Sequence, residues 1–365
     1  MSSFPKISQL MESGVKEGVF PGAVLLAARG DEILFHQAFG HSSIFPEKQI
    51  LQKDTIFDLA SLTKPLATTL GIMILVQKGL LSLDQSLESL AKRFYYPEQK
   101  AITLRQLLSH SAGFPAYQPY YSDLVRQPGN KKAILRDWVI KEPLIYPPGS
   151  QTLYSDLGFI VLDWIFEEAA GERMDPWIRK TIYDPLGLVR TGFRPLVSSG
   201  VSEPNLYAAT EDCPWRKKIL RGEVHDENAY AVGGVSGQAG LFGTAFEIFN
   251  LLQALKKAYD RPNRPGLFDG SLVRIFWERE DRPRGTTRTL GFDTPAETGS
   301  SAGRYFSPKS VGHLGFTGTS FWLDLEKDLL VILLSNRIHP TRANEKIKSF
   351  RPLIHDLVFQ EMTAE

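Results

Sequence analysis

Strand-forming sequence stands at both ends of this 365-residue chain, and helical patterns dominate between them. Residues 23–28 and 32–39 are β-rich and are joined by Gly30-Asp31, which reads as a hairpin. Residues 320–325 and 329–335 form a second hairpin around Glu326-Lys327-Asp328. The simplest architecture unites the two hairpins in one antiparallel sheet, so the chain ends meet and the middle is an insertion. Ile7, Leu10, Met11 and Val15 fall at helical spacing, closed by Gly18 and Pro21-Gly22. Phe350, Leu353, Ile354, Leu357 and Val358 mark a closing amphipathic helix, with Pro352 in its first turn or kinking it. In the middle, helical patterns over residues 67–78 and 157–170 alternate with Pro/Gly-rich loops such as 114–119 and 147–149, and Gly171 stops the second. The fold class expected is α/β (α+β): an antiparallel sheet built from both chain ends, flanking helices, and an inserted, mainly helical lobe. The lobes run over about 1–60 plus 295–365 and 61–294, as one unit sharing one cleft.

The bulk properties remove several classes of function. A net charge of +1, from 42 basic and 41 acidic side chains, provides no global field for nucleic acid or an anionic membrane. The run Arg216-Lys217-Lys218 with Arg221 reads as a solvated face. Cys213 is the sole cysteine, so no intrachain disulfide can staple the fold, and no thiolate-activating neighbour marks it as a nucleophile. The start of the chain lacks a secretory pattern. Its longest apolar stretch, residues 66–75, falls short of the ~20 residues of a membrane helix. A cytoplasmic protein with no nucleic-acid or membrane partner is the expectation.

Chemistry enters at Asp58-Leu59-Ala60-Ser61-Leu62-Thr63-Lys64-Pro65. If Ser61 opens the helix that runs on to Lys78, Lys64 lies one turn later on the same face, and Pro65 is tolerated in a first turn. A serine hydroxyl needs a base to become a nucleophile. A lysine serves as that base only if burial or nearby positive charge lowers its pKa from about 10.4. Ser-x-x-Lys alone also fits a helix cap followed by a surface lysine.

Further motifs follow in order. These are Leu107-Leu108-Ser109-His110-Ser111-Ala112-Gly113-Phe114, then Tyr146-Pro147-Pro148-Gly149 leading to Tyr154-Ser155-Asp156. After them come Pro185-Leu186-Gly187-Leu188 and, late in the chain, Gly312-His313-Leu314-Gly315-Phe316-Thr317-Gly318-Thr319. In this order the set resembles the class C β-lactamase-like family, which includes D-alanyl-D-alanine peptidases and carboxylesterases, over residues 18 to 338. The resemblance implies a β-lactamase/transpeptidase-like fold and a serine hydrolase working without metal or cofactor. It implies that Ser61 is acylated, that Lys64 accepts or relays its proton, and that Tyr154 shuttles the proton to the leaving group. Asp156 stands where many relatives have asparagine, and there it reaches Lys64 or the substrate. A carboxylate in that place favours a charged Lys64, so the lysine's resting state stays open. Tyr154 read without the resemblance is equally an amphipathic core tyrosine.

The third element departs from the family pattern. Lactamases and transpeptidases usually carry Lys-Thr-Gly there, where this chain has His313, Leu314 and Gly315. Gly315 leaves room for substrate backbone, and the N–H groups of Phe316 and Ser61 would form the oxyanion hole. Leu314 donates no hydrogen bond and a neutral His313 carries no fixed charge, which favours esters or amides lacking the β-lactam or D-Ala carboxylate. The resemblance also implies that residues 222–229 form a loop bordering the cleft. Consecutive His225, Asp226 and Glu227 are a poor metal set. Gln238 stands where relatives often have histidine, and Ser236 fails the G-x-S-x-G pattern. The expectation is a carboxylesterase- or amidase-like serine hydrolase acting on a small molecule or short peptide. Its rivals are a D-amino-acid peptidase or weak β-lactamase, and a non-catalytic ligand-binding protein on the same fold. Cleft shape depends on loops 114–128 and 279–289, whose arginines at 279, 282, 284 and 288 read as an exposed charged loop.

Overall fold

Six strands from the two chain ends make the main sheet. They are β1 (Gly22–Arg29), β2 (Glu32–Ser43), β3 (Gln49–Ile50), β4 (Val311–Leu314), β5 (Ser320–Asp324) and β6 (Leu329–Ser335). Their spatial order is β3-β2-β1-β6-β5-β4, antiparallel throughout. The first and last hairpins join through β1 and β6, which pair from Ala23↔Ser335 to Arg29↔Leu329. A computed structural model describes residues 4–90, 96–196 and 201–363.

The two central strands are apolar at nearly every position because both faces of the sheet are covered. Strand side chains alternate between faces. Val24, Leu26 and Ala28 of β1, with Leu330, Ile332 and Leu334 of β6, pack into the core shared with the helical insertion. Ala23, Leu25 and Ala27, with Leu329, Val331 and Leu333, pack against the terminal helices α1 (Pro5–Lys16) and α5 (Ile347–Thr363). The first core is a single cluster running from the sheet into α2 (Thr69–Gln77), α3 (Asp156–Ala170) and α4 (Ala245–Asp260). Gly171 ends α3 with φ +65°, a left-handed turn that favours glycine. Pro352 lies inside α5, beyond its first turn.

The segment after Ser61 departs from the expected single helix. A 3-10 turn over Ala60–Leu62 is followed by a π-helical turn over Lys64–Thr68, and regular α-helix begins only at Thr69. Pro65 has no N–H to donate, so a widened turn there loses less than it would elsewhere. Together the three pieces give an 18-residue apolar run, Ala60–Gln77, long enough to cross a membrane by length and composition, but 83% of it is buried inside this protein.

Candidate active site

The site begins at a bend in the backbone. Ala60 has φ +47°, a region that costs a non-glycine residue about 1–3 kcal/mol unless its surroundings hold it. Asp58 does much of that holding. Its Oδ1 accepts from the Ala60 N–H at 2.8 Å and its Oδ2 from the His225 N–H at 2.6 Å. Thr63 Oγ1 donates to Ala60 O at 2.6 Å. The bend lifts Ser61 out of the core and into the wall of a cleft of about 610 Å³.

Lys64 follows Ser61 on the same side, and its side chain is completely buried. Its Nζ donates to Ser61 Oγ at 3.2 Å and to the carbonyl of Gln238 at 3.0 Å, and it lies 2.7 Å from Asp156 Oδ1. Burial pushes the lysine pKa down, but the charge of Asp156, with hydrogen bonding, outweighs it and the net shift is upward. On the question of the lysine's resting state, the 2.7 Å contact with Asp156 and the upward shift both favour the ammonium form of Lys64.

Tyr154 reaches the same point from the loop before α3. His110 explains how that loop is held. Its carbonyl accepts from Leu153 N–H at 3.0 Å, its Nδ1 accepts from Ser155 N–H at 3.1 Å, and its ring lies 4.6 Å from the Tyr154 ring. The Ser109-His110-Ser111 motif thus works as a clamp for Tyr154. Lys64 Nζ lies 4.8 Å and Arg288 Cζ 5.2 Å from the Tyr154 ring centroid. The phenol oxygen is buried beside Lys64 and Ser61, near enough for hydrogen bonding to each. Burial raises its pKa, and the opposing pull of the Lys64 charge does not cancel that rise.

Strand β4 supplies the opposite wall. His313 is buried, and its pKa sits well below the ordinary value because of burial and the charges of Lys64 and Arg288. The neutral ring lies 2.8 Å from the Leu314 carbonyl through Nδ1. A carbonyl only accepts, so Nδ1 carries the proton and Nε2 is a bare acceptor, buried without a partner among the described residues. Gly315 follows, where an added Cβ would lie 2.0 Å from Thr319 Oγ1 and 2.6 Å from Leu59 O, so only glycine allows this approach. Thr317 and Thr319 donate through their hydroxyls to the carbonyls of Asp58 and Leu59, tying this strand end to the Ser61 loop. No acceptor occupies the amide of Ser61 or of Phe316 among the described residues.

All seven residues singled out from sequence (Ser61, Lys64, Tyr154, Asp156, His313, Gly315 and Phe316) therefore meet at one place, six lining the cleft and Lys64 beneath it. Two expectations need correction. Arg288 is not a solvated loop residue: it lines the cleft, paired with Asp293 at 3.2 Å, while Arg282 and Arg284 remain exposed. Arg216 is not solvated either. It is buried, donates to the carbonyls of Val224 and His225, and stacks 4.1 Å from the Tyr230 centroid, so it holds loop 222–229 against the cleft.

That loop's three polar residues diverge. His225 bonds Glu211 at 3.2 Å, Glu227 pairs with Arg342 at 2.6 Å, and Asp226 caps the turn after it while facing the cleft. Burial, then the charge of Asp156, pushes Asp226 up to about 6. Ser236 is buried and bonded to the Gln238 side chain. Sequence reasoning missed the Gln238 carbonyl as a lysine partner, because a main-chain acceptor leaves no residue-type signature. It also missed Arg337, Arg342 and Arg351, which line the far end of the cleft. Arg351 did leave a trace, as a charge among Ile347, Phe350, Ile354 and Val358 on the apolar stripe of the last helix.

A family model described as Beta-lactamase matches residues 7–353. A protein of Salmonella agona (strain SL483) named "Putative D-alanyl-D-alanine carboxypeptidase" is 31% identical over 354 residues, covering 90% of this chain and 81% of that protein. A protein of the same name from Salmonella typhi matches at the same values. Among solved structures, EstCE1, described as a hydrolase with promiscuous acyltransferase activity, superposes with a TM-score of 0.72 at 21% identity, over 95% of this chain and 98% of its own. The octameric penicillin-binding protein homologue from Pyrococcus abyssi gives 0.72 at 18% identity, over 96% and 77%. At these identities the two solved structures share the fold.

Proposed function

The chain belongs to the beta-lactamase family of serine hydrolases, and on that premise we propose that it works through an acyl-enzyme on Ser61. The observation that carries the reading is Lys64 Nζ at 3.2 Å from Ser61 Oγ, with the buried Tyr154 phenol within hydrogen-bonding reach of both. In this reading Ser61 Oγ bonds to the substrate carbonyl carbon, and the N–H groups of Ser61 and Phe316 receive the oxyanion. The serine proton passes to the Lys64–Tyr154 pair and from Tyr154 to the leaving atom as its bond breaks. Water then reverses the sequence and frees the acid.

With Lys64 charged and Tyr154 protonated at rest, the pair must first lose a proton. Activity should therefore climb with pH, about tenfold per unit, through the neutral range. Asp156→Asn removes the charge that holds the lysine protonated and leaves the burial that opposes it. A buried, unpaired ammonium sheds its proton more readily, so the rise in kcat/KM should move to lower pH by a unit or more. An unchanged profile in Asp156→Asn would show that Lys64 is outside the proton path.

For substrate class, the wall of neutral His313 and apolar Leu314 supports small esters or amides over substrates with a carboxylate beside the reacting bond. Burying a carboxylate against Leu314 without compensation costs more than burying a neutral polar group, which alone costs about 2–7 kcal/mol. Esters should turn over well above penicillins, and replacing His313-Leu314 with Lys-Thr should shift the ratio toward carboxylate-bearing substrates. Masses of covalent adducts after exposure to esters, D-Ala-D-Ala peptides and penicillins test this directly; penicillin turnover matching that of the best ester would refute it. One observation favours a second reading as a D-amino-acid carboxypeptidase. Arg288 brings into the cleft the positive charge that His313 lacks, and the Salmonella relatives carry that name.

A further inference from the structure

Past Phe316 the cleft continues to the first turns of α5, where Ile347, Lys348 and Arg351 line it. Arg351 is only 5% exposed. Its hydrogen bond to protein is a long donation from Nη2 to Thr319 O at 3.4 Å, and its Nε is buried with no partner among the described residues. Burial, then the charge of Arg337, pulls its pKa down to about 10. Other buried cations here have carboxylates: Lys64 has Asp156, Arg216 has Glu223, and Lys256 has Asp260. Arg337, buried beside Arg351, lacks a carboxylate within ion-pair distance but spends its donors on the carbonyls of Phe316, Arg342 and Asn344. That is how a structural arginine is satisfied. Arg351 is not satisfied in that way, although an uncompensated buried charge is strongly destabilising.

A guanidinium offers N–H groups that match the oxygens of a carboxylate, and with Nε enclosed it is the Nη end of Arg351 that can meet one in the cleft. We infer that Arg351, backed by Arg337, is a carboxylate subsite at the α5 end of the cleft. It selects ester, amide or peptide substrates that carry a carboxylate at a distance from the bond being cleaved. This subsite is carried by α5 and the His313-Leu314 wall by β4, so a carboxylate held by Arg351 need not face Leu314. The word substrate rests on the Ser61 reading; the binding of a carboxylate does not.

Melting of the wild-type protein in rising adipate, against adipamide at equal ionic strength, requires neither a variant nor catalysis. Adipate should raise Tm saturably and adipamide should not. Arg351→Met should abolish the rise while melting no lower than wild type without ligand, since an apolar side chain replaces an unpaired buried cation. In kinetics, kcat/KM for p-nitrophenyl hydrogen adipate relative to p-nitrophenyl butyrate should fall about tenfold or more in Arg351→Met, the scale of a charged hydrogen bond. Equal effects of adipate and adipamide on the wild type, or an ester ratio that Arg351→Met leaves unchanged, would overturn the subsite. Ser61→Ala should keep the adipate-dependent rise. If it keeps both that rise and full hydrolysis, the nucleophile assignment fails and the subsite stands.

Discussion

Ser61→Ala is expected to abolish hydrolysis of an activated ester such as p-nitrophenyl acetate, with a loss of about 10⁴–10⁶ in kcat, the scale on which removal of an activated nucleophile acts. The fold should survive. Ser61 sits in the cleft wall, and its hydroxyl accepts from Lys64 and lies beside the Tyr154 phenol, contacts that serve the site rather than the core. The bend at Ala60 is held by Asp58 and Thr63, which the substitution does not touch. Fluorophosphonate labelling should disappear with the activity, and an unchanged melting temperature would exclude unfolding as the cause. Retained turnover after correction for background hydrolysis would remove the acyl-enzyme reading and leave the rival, a binding protein on this fold, in its place.

The second large effect concerns the proton path. Lys64→Met and Tyr154→Phe should each lower kcat by about 10²–10⁴, the usual contribution of a positioned acid or base. Their effects should not add, because groups that act as a unit lose most of their contribution when either is removed. The geometry motivates this expectation: Lys64 Nζ lies over the Tyr154 ring at 4.8 Å, and each group shifts the pKa of the other. Clean additivity in the double variant would mean two independent roles. Lys64→Met has a structural consequence as well. It leaves Asp156 without its cation, and although the side chain is 21% exposed the Oδ1 that faced Lys64 is buried, so some loss of stability should accompany the loss of activity.

Much of this was legible in the sequence for a local reason. A serine and a lysine three residues apart meet whether the turn between them is 3-10, α or π, so their contact survived the departure from a regular helix. The two hairpins were equally local, set by Gly30-Asp31 and Glu326-Lys327-Asp328 between β-rich runs. Pairing of the chain ends followed from the simplest sheet that could hold both hairpins, and β1 does pair with β6. The neutral state of His313 was harder to read. It depends on burial and on Lys64 and Arg288, which approach from distant segments.

What the sequence by itself determined, then, is the set of groups whose partners lie within a turn or a hairpin, together with the motifs that mark the rest of the site. Only the tertiary structure decided the state of those groups. Lys64 is drawn toward its charged form because Asp156 and the Gln238 carbonyl close over it from other parts of the chain. Arg288 enters the cleft although its neighbours Arg282 and Arg284 stay in water. Arg351 is left without a carboxylate because the helix that carries it packs its apolar face against the sheet and takes the arginine inside. Charge and proton affinity depend on burial and on neighbours a few ångströms away. Residue type and spacing along the chain do not record either one.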